Sequence, residues 1–104
     1  MRRVVVTGVG GVCALGETWP QIMRGLKACR NTIRRMHQWD RYSDMNTRLA
    51  GPIADFAAPE HWTRKQLRSM GRVSQLAVRA AEFAIDDAGL AGDPVIASGE
   101  TGVA

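Results

Sequence analysis

Residues 2–12 read RRVVVTGVGGV, an apolar run that breaks into a glycine-rich turn. The three consecutive valines at 4–6 are β-branched and favour a pleated backbone, and a run without polar alternation suits a strand that is covered on both faces. A helical pattern follows this turn within a few residues. The stretch therefore predicts a buried parallel strand at the start of an α/β fold.

The composition is that of an ordinary globular chain, and the positive net charge favours an anionic partner. The 104 residues are 45% hydrophobic and 23% charged, which is typical of a folded domain and not of a disordered segment. Only 6% of them are aromatic, so we expect a thin core. Fourteen Lys and Arg against ten Asp and Glu give a net charge of +4. That excess is modest, and it favours binding to an acidic protein, a membrane or nucleic acid.

Cysteine usage and the N-terminal pattern bear on location. Cys13 and Cys29 form neither a CxxC motif nor a disulfide framework, so we expect reduced thiols. The valines before the glycine turn are too few for a signal peptide, and no apolar stretch has the length of a transmembrane helix. We therefore expect a cytoplasmic protein that binds no membrane.

The middle of the chain predicts short elements separated by loops. Pro20 favours the first turn of a helix that ends near Cys29, because its missing N–H costs little there. The remaining predictions are an ordered loop with a short extended piece at 33–42, an edge strand at 49–56, and short helices at 59–62 and 64–70.

The strongest periodicity runs from residue 72 to residue 88. Apolar residues recur there at intervals of three and four, and most of them are alanines, which allow a close neighbour. Gly89 followed by Leu90 predicts the end of this helix. Asp86 and Asp87 lie near the negative end of the helix dipole, so we expect another group to compensate them.

The glycine turn resembles a dinucleotide-binding loop only in part. Gly8 and Gly10 fit the pattern GxGxxG, but Cys13 stands where the third glycine is required. A structural turn in which glycine allows close backbone approach is the favoured interpretation.

The cysteines and histidines have the side chains needed for two kinds of chemical site. Cys13 could act as a nucleophile only beside a base or a helix N-terminus, and a small structural cysteine is much commoner. A zinc site built from Cys13, Cys29, His37 and His61 would have suitable ligands but lacks paired spacing. Neither reading is favoured, and we expect no metal or cofactor.

Residues 64–72, RKQLRSMGR, are the most specific surface feature. If they are helical throughout, Arg64, Arg68 and Arg72 align at four-residue intervals, an arrangement of like charges that is costly unless it is solvated or meets an anion. The alternatives are a solvated face and a docking surface for an acidic partner.

Six segments together resemble the N-terminal part of a β-ketoacyl-acyl carrier protein synthase, a condensing enzyme of the thiolase-like family. They are RRVVVTGVGGVCALG at 2–16, the helix with Trp19 and Gly25, WDRY at 39–42, AGPIADF at 50–56, RKQLRSMGR at 64–72 and AAEFAIDDAGL at 80–90. The final TGVA at 101–104 resembles the next core strand.

The resemblance implies a fold, a reaction and a partner. The expected fold class is α/β, as part of a five-layered αβαβα core that forms a homodimer, with residues 1–104 as the truncated N-terminal segment of the N-terminal domain. The implied activity is that of an acyltransferase, which condenses an acyl-cysteine with malonyl-acyl carrier protein in fatty acid or polyene-type synthesis without a redox cofactor. The catalytic cysteine and two histidines of the family lie downstream of this segment, so we expect the chain alone to be inactive and to fold poorly.

One functional motif is carried over to this chain. The family's basic RKxxR segment, which helps to dock the acidic carrier protein, is matched by Lys65 and Arg68, with Arg64 and Arg72 as neighbours. Ser69 stands where elongating relatives often have a basic residue, and Gly71 where an acidic one is common. Two rival interpretations stay open. The chain could be a non-catalytic interaction module or split-synthase piece that binds a carrier or partner subunit, or, less favoured, a nucleic-acid-binding protein.

Overall fold

The computed structural model describes residues 3–104, which separate into two compact units. One unit comprises residues 3–12 together with Ala58–Ala104, and the other comprises Cys13–Ala57. The elements in chain order are helix α1 (Trp19–Lys27), strand β1 (Arg34–Arg35), strand β2 (Leu49–Ala50), helix α2 (Arg64–Ser69) and helix α3 (Arg72–Asp87), with short 3₁₀ helices at His37–Trp39 and Pro94–Ala97.

The unit Cys13–Ala57 begins with α1, and its predicted proline position is confirmed. Pro20 lies in the first turn, and the Gln21 side-chain oxygen accepts hydrogen bonds from the N–H groups of Glu17 and Thr18. The helix ends slightly earlier than expected because Cys29 adopts a left-handed φ of 50°. This lets the Arg30 N–H reach back 3.0 Å to the Gly25 carbonyl, the pattern that usually employs glycine.

The same unit contains a small antiparallel ladder. Arg34 pairs with Ala50 and Arg35 with Leu49, which confirms the short extended piece expected in 33–42. The expected edge strand at 49–56 is limited to its first two residues. Pro52 lacks an N–H for a ladder bond, and the chain leaves the pairing there.

The unit of residues 3–12 and 58–104 is organised around α3. The helix confirms the predicted periodicity, and its end confirms the predicted glycine stop, since Gly89 has a φ of 68° and the Leu90 N–H donates to the Ile85 carbonyl at 3.0 Å. The prediction of a short helix at 59–62 is wrong. The structure has a single turn there, closed by a 3.0 Å bond from the Trp62 N–H to the Pro59 carbonyl.

The glycine turn packs against the alanine face of α3. A Cβ at Gly8 would overlap the Ala84 carbonyl oxygen, and one at Gly10 would overlap the Ala80 carbonyl oxygen. This confirms both the structural interpretation of the turn and the close neighbour expected for α3.

The predicted strand at the start of the chain is not formed. Residues 3–12 make no ladder with any other described segment, and Val4 and Val6 are 94% and 85% exposed. A strand requires a neighbouring backbone at hydrogen-bonding distance, and the described residues place none beside these valines. Residues 101–104 likewise form no strand. Arg2, part of the predicted strand, lies outside the described residues.

Each unit buries very little. Ile22 on α1 is the buried hydrophobic side chain of one described unit, and Trp62 that of the other. The thin core expected from composition is confirmed.

Candidate functional site

Helix α2 is short, and its own sequence starts it. Thr63 precedes the helix and accepts a 3.3 Å bond from the Gln66 N–H, while the Gln66 side chain accepts a 2.8 Å bond from the Thr63 N–H. This reciprocal capping satisfies two of the free N–H groups at the start of the helix. The result is a six-residue helix, Arg64–Ser69, on the surface of the unit.

The exposed side of α2 is strongly cationic. Arg64, Lys65 and Arg68 are all exposed, and no described carboxylate pairs with them. The first turn contains no acidic residue, so two positive charges lie at the positive end of the helix dipole. Such charges are most stable beside an anion, and the helix leaves them accessible to one.

The predicted alignment of three arginines on one helix is wrong for Arg72. Met70 is extended, with φ −112° and ψ 118°, and Gly71 is the N-cap of the next helix. Arg64 and Arg68 therefore share α2, whereas Arg72 is the first residue of α3. We call these three arginines, with Lys65, the basic patch.

A carboxylate on α3 fastens the chain just before α2. Glu82 Oε1 lies 2.6 Å from the Trp62 indole Nε1 and 2.9 Å from His61 Nε2, and Glu82 Oε2 accepts a 2.8 Å bond from Arg79. Partial burial raises the pKa of Glu82, but the hydrogen bonds from His61, Trp62 and Arg79 outweigh it and lower the pKa to about 2. The carboxylate is therefore ionised at neutral pH.

A second cluster of charged side chains, centred on the carboxylate of Asp40, stabilises the loop between β1 and β2. Asp40 Oδ1 lies 2.8 Å from the Arg35 guanidinium and 3.2 Å from Arg48 Nε, and Asp40 Oδ2 lies 3.7 Å from His37. The hydrogen bond from Arg35 lowers the pKa of Asp40. Both partner arginines come from the ladder strands or the residue before them, so this cluster joins the two ends of the loop.

The cysteines lie apart from catalytic partners within their unit. Cys13 is half-buried in a tight backbone bridge with Gly16, and Cys29 is exposed at the end of α1. In the described part of Cys13–Ala57, neither sulfur is hydrogen-bonded to His37. Across residues 3–104, no three His, Cys, Asp or Glu side chains gather closely enough to hold a metal ion.

An open cavity of about 460 Å³ lies within Cys13–Ala57. Its walls come from residues 13–17, 31–34 and 52–56, with Cys13, Glu17, Arg34 and Asp55 among them. It is wide open to solvent, and none of these side chains is arranged as a nucleophile with a base.

The family model of the β-ketoacyl synthase N-terminal domain matches residues 1–104. The chain belongs to the β-ketoacyl synthase family. A β-ketoacyl synthase crystal structure from Burkholderia phymatum STM815 is 56% identical, with a TM-score of 0.83 over 95% of this chain and 24% of that one. The β-ketoacyl synthase fold is thereby shown for this partial α/β segment.

Curated relatives of this β-ketoacyl synthase segment have two kinds of name. It is 38% identical to 3-oxoacyl-[acyl-carrier-protein] synthase 2 of Synechocystis sp., over 86% of the chain and 21% of that relative. It is 42% identical to nodulation protein E of Rhizobium leguminosarum bv. trifolii, over 88% of the chain and 22% of that relative. The chain thus spans about a fifth of the length of the curated relatives it matches.

Among residues 3–104, no helix has both the length and the apolar character needed to cross a bilayer. Sequence reasoning missed the Glu82 cluster, although Arg79 and Glu82 at i and i+3 gave a local signal for one of its three bonds. His61 and Trp62 lie some twenty positions earlier in the chain, and no sequence pattern joins them to Glu82.

Proposed function

We propose that the complete protein is a 3-oxoacyl-acyl carrier protein synthase that elongates acyl chains in fatty-acid-type synthesis. The proposal is supported by the family match and by the name of the Synechocystis relative. We further propose that it works as a cytoplasmic homodimer with the five-layered αβαβα core and needs no redox cofactor.

The proposed reaction is a decarboxylative Claisen condensation. The acyl group is held as a thioester on a cysteine, and malonyl-acyl carrier protein loses CO₂ to give a thioester enolate. The enolate carbon attacks the acyl carbonyl carbon, so that a C–C bond forms and the thioester bond from that carbon to the cysteine sulfur breaks, releasing the cysteine thiolate and 3-oxoacyl-carrier protein. None of Cys13, Cys29, His37 and His61 corresponds to the family's catalytic residues, so the proposal gives this chain alone no condensing activity.

We assign to this segment the docking of the acidic carrier protein through the basic patch. The observation that carries the assignment is the exposed α2, where Arg64, Lys65 and Arg68 have no carboxylate partner among the described residues. Opposite charges across an interface steer encounter and fix orientation. With Ser69 in place of a further basic residue, we expect the patch to bind more weakly, or with a different carrier preference, than in relatives that have one.

A titration with a purified acidic acyl carrier protein tests this role. In the protein expressed from its complete gene, Lys65→Glu with Arg68→Glu should weaken binding by about tenfold or more, since two attractive charges become repulsive. The matched control is Arg24→Glu with Lys27→Glu on α1, an exposed Arg and Lys pair that gives the same change in net charge.

The control separates local docking from overall charge. Equal weakening by both double variants would leave only a net-charge effect, and unchanged affinity after the Lys65 and Arg68 changes would remove the docking assignment. An assay for CO₂ release and 3-oxoacyl product tests the reaction itself. Carrier binding without any condensation would favour the non-catalytic interaction module.

A further inference from the structure

We propose that Glu82 is a positioning residue for docking. By binding His61 and Trp62, it holds the start of α2 and thereby fixes where the basic patch meets an acidic carrier protein. The inference rests on the docking role proposed above and adds the residue that sets the geometry of that surface.

Helix α2 cannot hold its own position. It has six residues, and helices this short are marginal without tertiary contacts. Arg64 and Lys65 in its first turn oppose the positive end of the helix dipole, and Arg68 repels Arg64 one turn away. The like charges of α2 therefore lower the stability of the helix, and docking requires that the helix have a defined orientation. Contacts outside the helix must provide both the stability and the orientation.

The start of α2 is fastened to α3 through one carboxylate. Trp62 donates its indole Nε1–H to Glu82 Oε1 at 2.6 Å, and His61 Nε2 lies 2.9 Å from the same oxygen. Trp62 is only 7% exposed, and Thr63, the N-cap of α2, is the next residue. The two residues before the cap are thus fixed, and the first helical turn follows directly from them.

Glu82 is itself held in place. Its second oxygen accepts a 2.8 Å bond from Arg79, whose guanidinium lies over the Phe83 ring at 4.1 Å from the centroid. All three residues belong to the sixteen-residue α3. The carboxylate therefore has a defined rotamer on the longest helix of the unit, and so it can position what it binds.

The end of α2 has a separate attachment. The Gln75 side-chain amide donates a 3.0 Å bond to the Met70 carbonyl, the residue that terminates α2. Loss of the Glu82 contacts would remove the hydrogen bonds from His61 and Trp62 to α3 and leave this attachment at the other end of the helix intact. The helix could then pivot about Met70 and Gly71, which would move Arg64, Lys65 and Arg68 relative to Arg72 without unfolding α3.

Simple electrostatics and positioning predict opposite results for the loss of Glu82. Glu82→Gln removes one negative charge, so the protein becomes more positive and should attract an acidic carrier more strongly. If Glu82 positions α2, the same change should weaken binding, because His61 and Trp62 lose an ionised acceptor. The sign of the change in affinity therefore decides between the two.

The experiment measures carrier binding kinetics on the protein expressed from its complete gene. With Glu82→Gln we expect the dissociation constant for an acidic acyl carrier protein to rise about three- to tenfold, mainly through faster dissociation. Asp40→Asn is the matched control, since it removes the same charge from a carboxylate that is also paired with arginines, in the other unit. It should leave the dissociation rate unchanged.

A second variant and a second readout remove the alternatives. Trp62→Phe keeps an aromatic ring and all charges but loses the Nε1 donor. Like Glu82→Gln, it should accelerate dissociation of the carrier protein. A merely unfolded variant would instead lower the binding stoichiometry at an unchanged dissociation constant. That result, or equal or tighter binding by Glu82→Gln, would overturn the inference. If reversal of Lys65 and Arg68 has no effect, it is the docking role itself that fails.

Discussion

The backbone N–H of Val9 donates a 2.9 Å hydrogen bond to Asp87 Oδ2, joining residues 78 positions apart. Asp87 is the last residue of α3, where a negative charge is unfavourable beside the helix carbonyls. For Asp87, this bond is the compensating contact that we expected from the sequence; it does not involve Asp86. It also gives a hydrogen-bond acceptor to a valine that has no strand partner among the described residues.

Removal of this bond should destabilise the unit modestly. We expect Asp87→Ala to lower the free energy of unfolding by about 1 kcal/mol, since both groups are near solvent. Asp86→Ala is the matched control, because Asp86 is also exposed and carries the same charge but makes no such bond to the glycine turn. Thermal denaturation of both variants, made in the protein expressed from its complete gene, checks this. An Asp86 variant that loses as much as the Asp87 variant would contradict it.

The glycine turn should tolerate alanine at one position and reject it at two. A Cβ at Gly8 or Gly10 would overlap the backbone of α3, so Gly8→Ala and Gly10→Ala should each destabilise by about 1–3 kcal/mol. Nothing lies within 4 Å of a Cβ at Gly11, and Gly11→Ala should be neutral or slightly stabilising. Melting temperatures of the three variants, made in the protein expressed from its complete gene, measure the difference, and a similar loss at all three positions would refute the close-approach argument.

The elements set by local rules could be predicted from the sequence. Proline in the first turn of α1, the short helix expected at 64–70, and the periodicity and glycine stop of α3 each depend on neighbours within a few residues. The basic residues of α2 were predicted as a surface feature for the same reason. Their partnership with a carrier protein stays a prediction.

The parts that depend on distant partners could not be predicted. The valines at 4–6 have strand propensity, but pairing requires a neighbouring strand, which the described residues do not provide. The local sequence at Pro59–Trp62 favours a helix, but the structure has a single turn there. The hydrogen bond from Trp62 to Glu82 joins residues twenty positions apart, and a local pattern does not reveal it. Met70 interrupts the arginine alignment through its extended backbone, which a pattern of charges does not reveal.

Acid should weaken the hold of Glu82. Its pKa falls from 4.5 to about 2 in the folded chain, so the carboxylate contributes stability that is fully present above pH 4.5 and is lost as the pH falls towards 2. Since the side chain is partly exposed, we expect that contribution to be about 1–2 kcal/mol. The difference in stability between the parent protein and Glu82→Gln should shrink across this window. A stability difference between the two proteins that is constant from pH 7 to pH 2.5 would contradict the assignment. Asp40, whose pKa is also lowered, is present in both proteins, so its contribution cancels from the difference.

The isolated 104-residue chain should not unfold as one cooperative unit. Ile22 and Trp62 are the buried hydrophobic side chains of the described residues, whereas Val4, Val6 and Val73 are at least 81% exposed. So little burial cannot offset the conformational entropy of ordering the backbone. We expect the helical signal in far-ultraviolet circular dichroism to decline gradually on heating, without a matching near-ultraviolet transition. A single sharp transition seen by both probes in the monomeric chain would show instead that the chain keeps its packing unaided, since two-state unfolding requires that probes of backbone and side-chain order coincide.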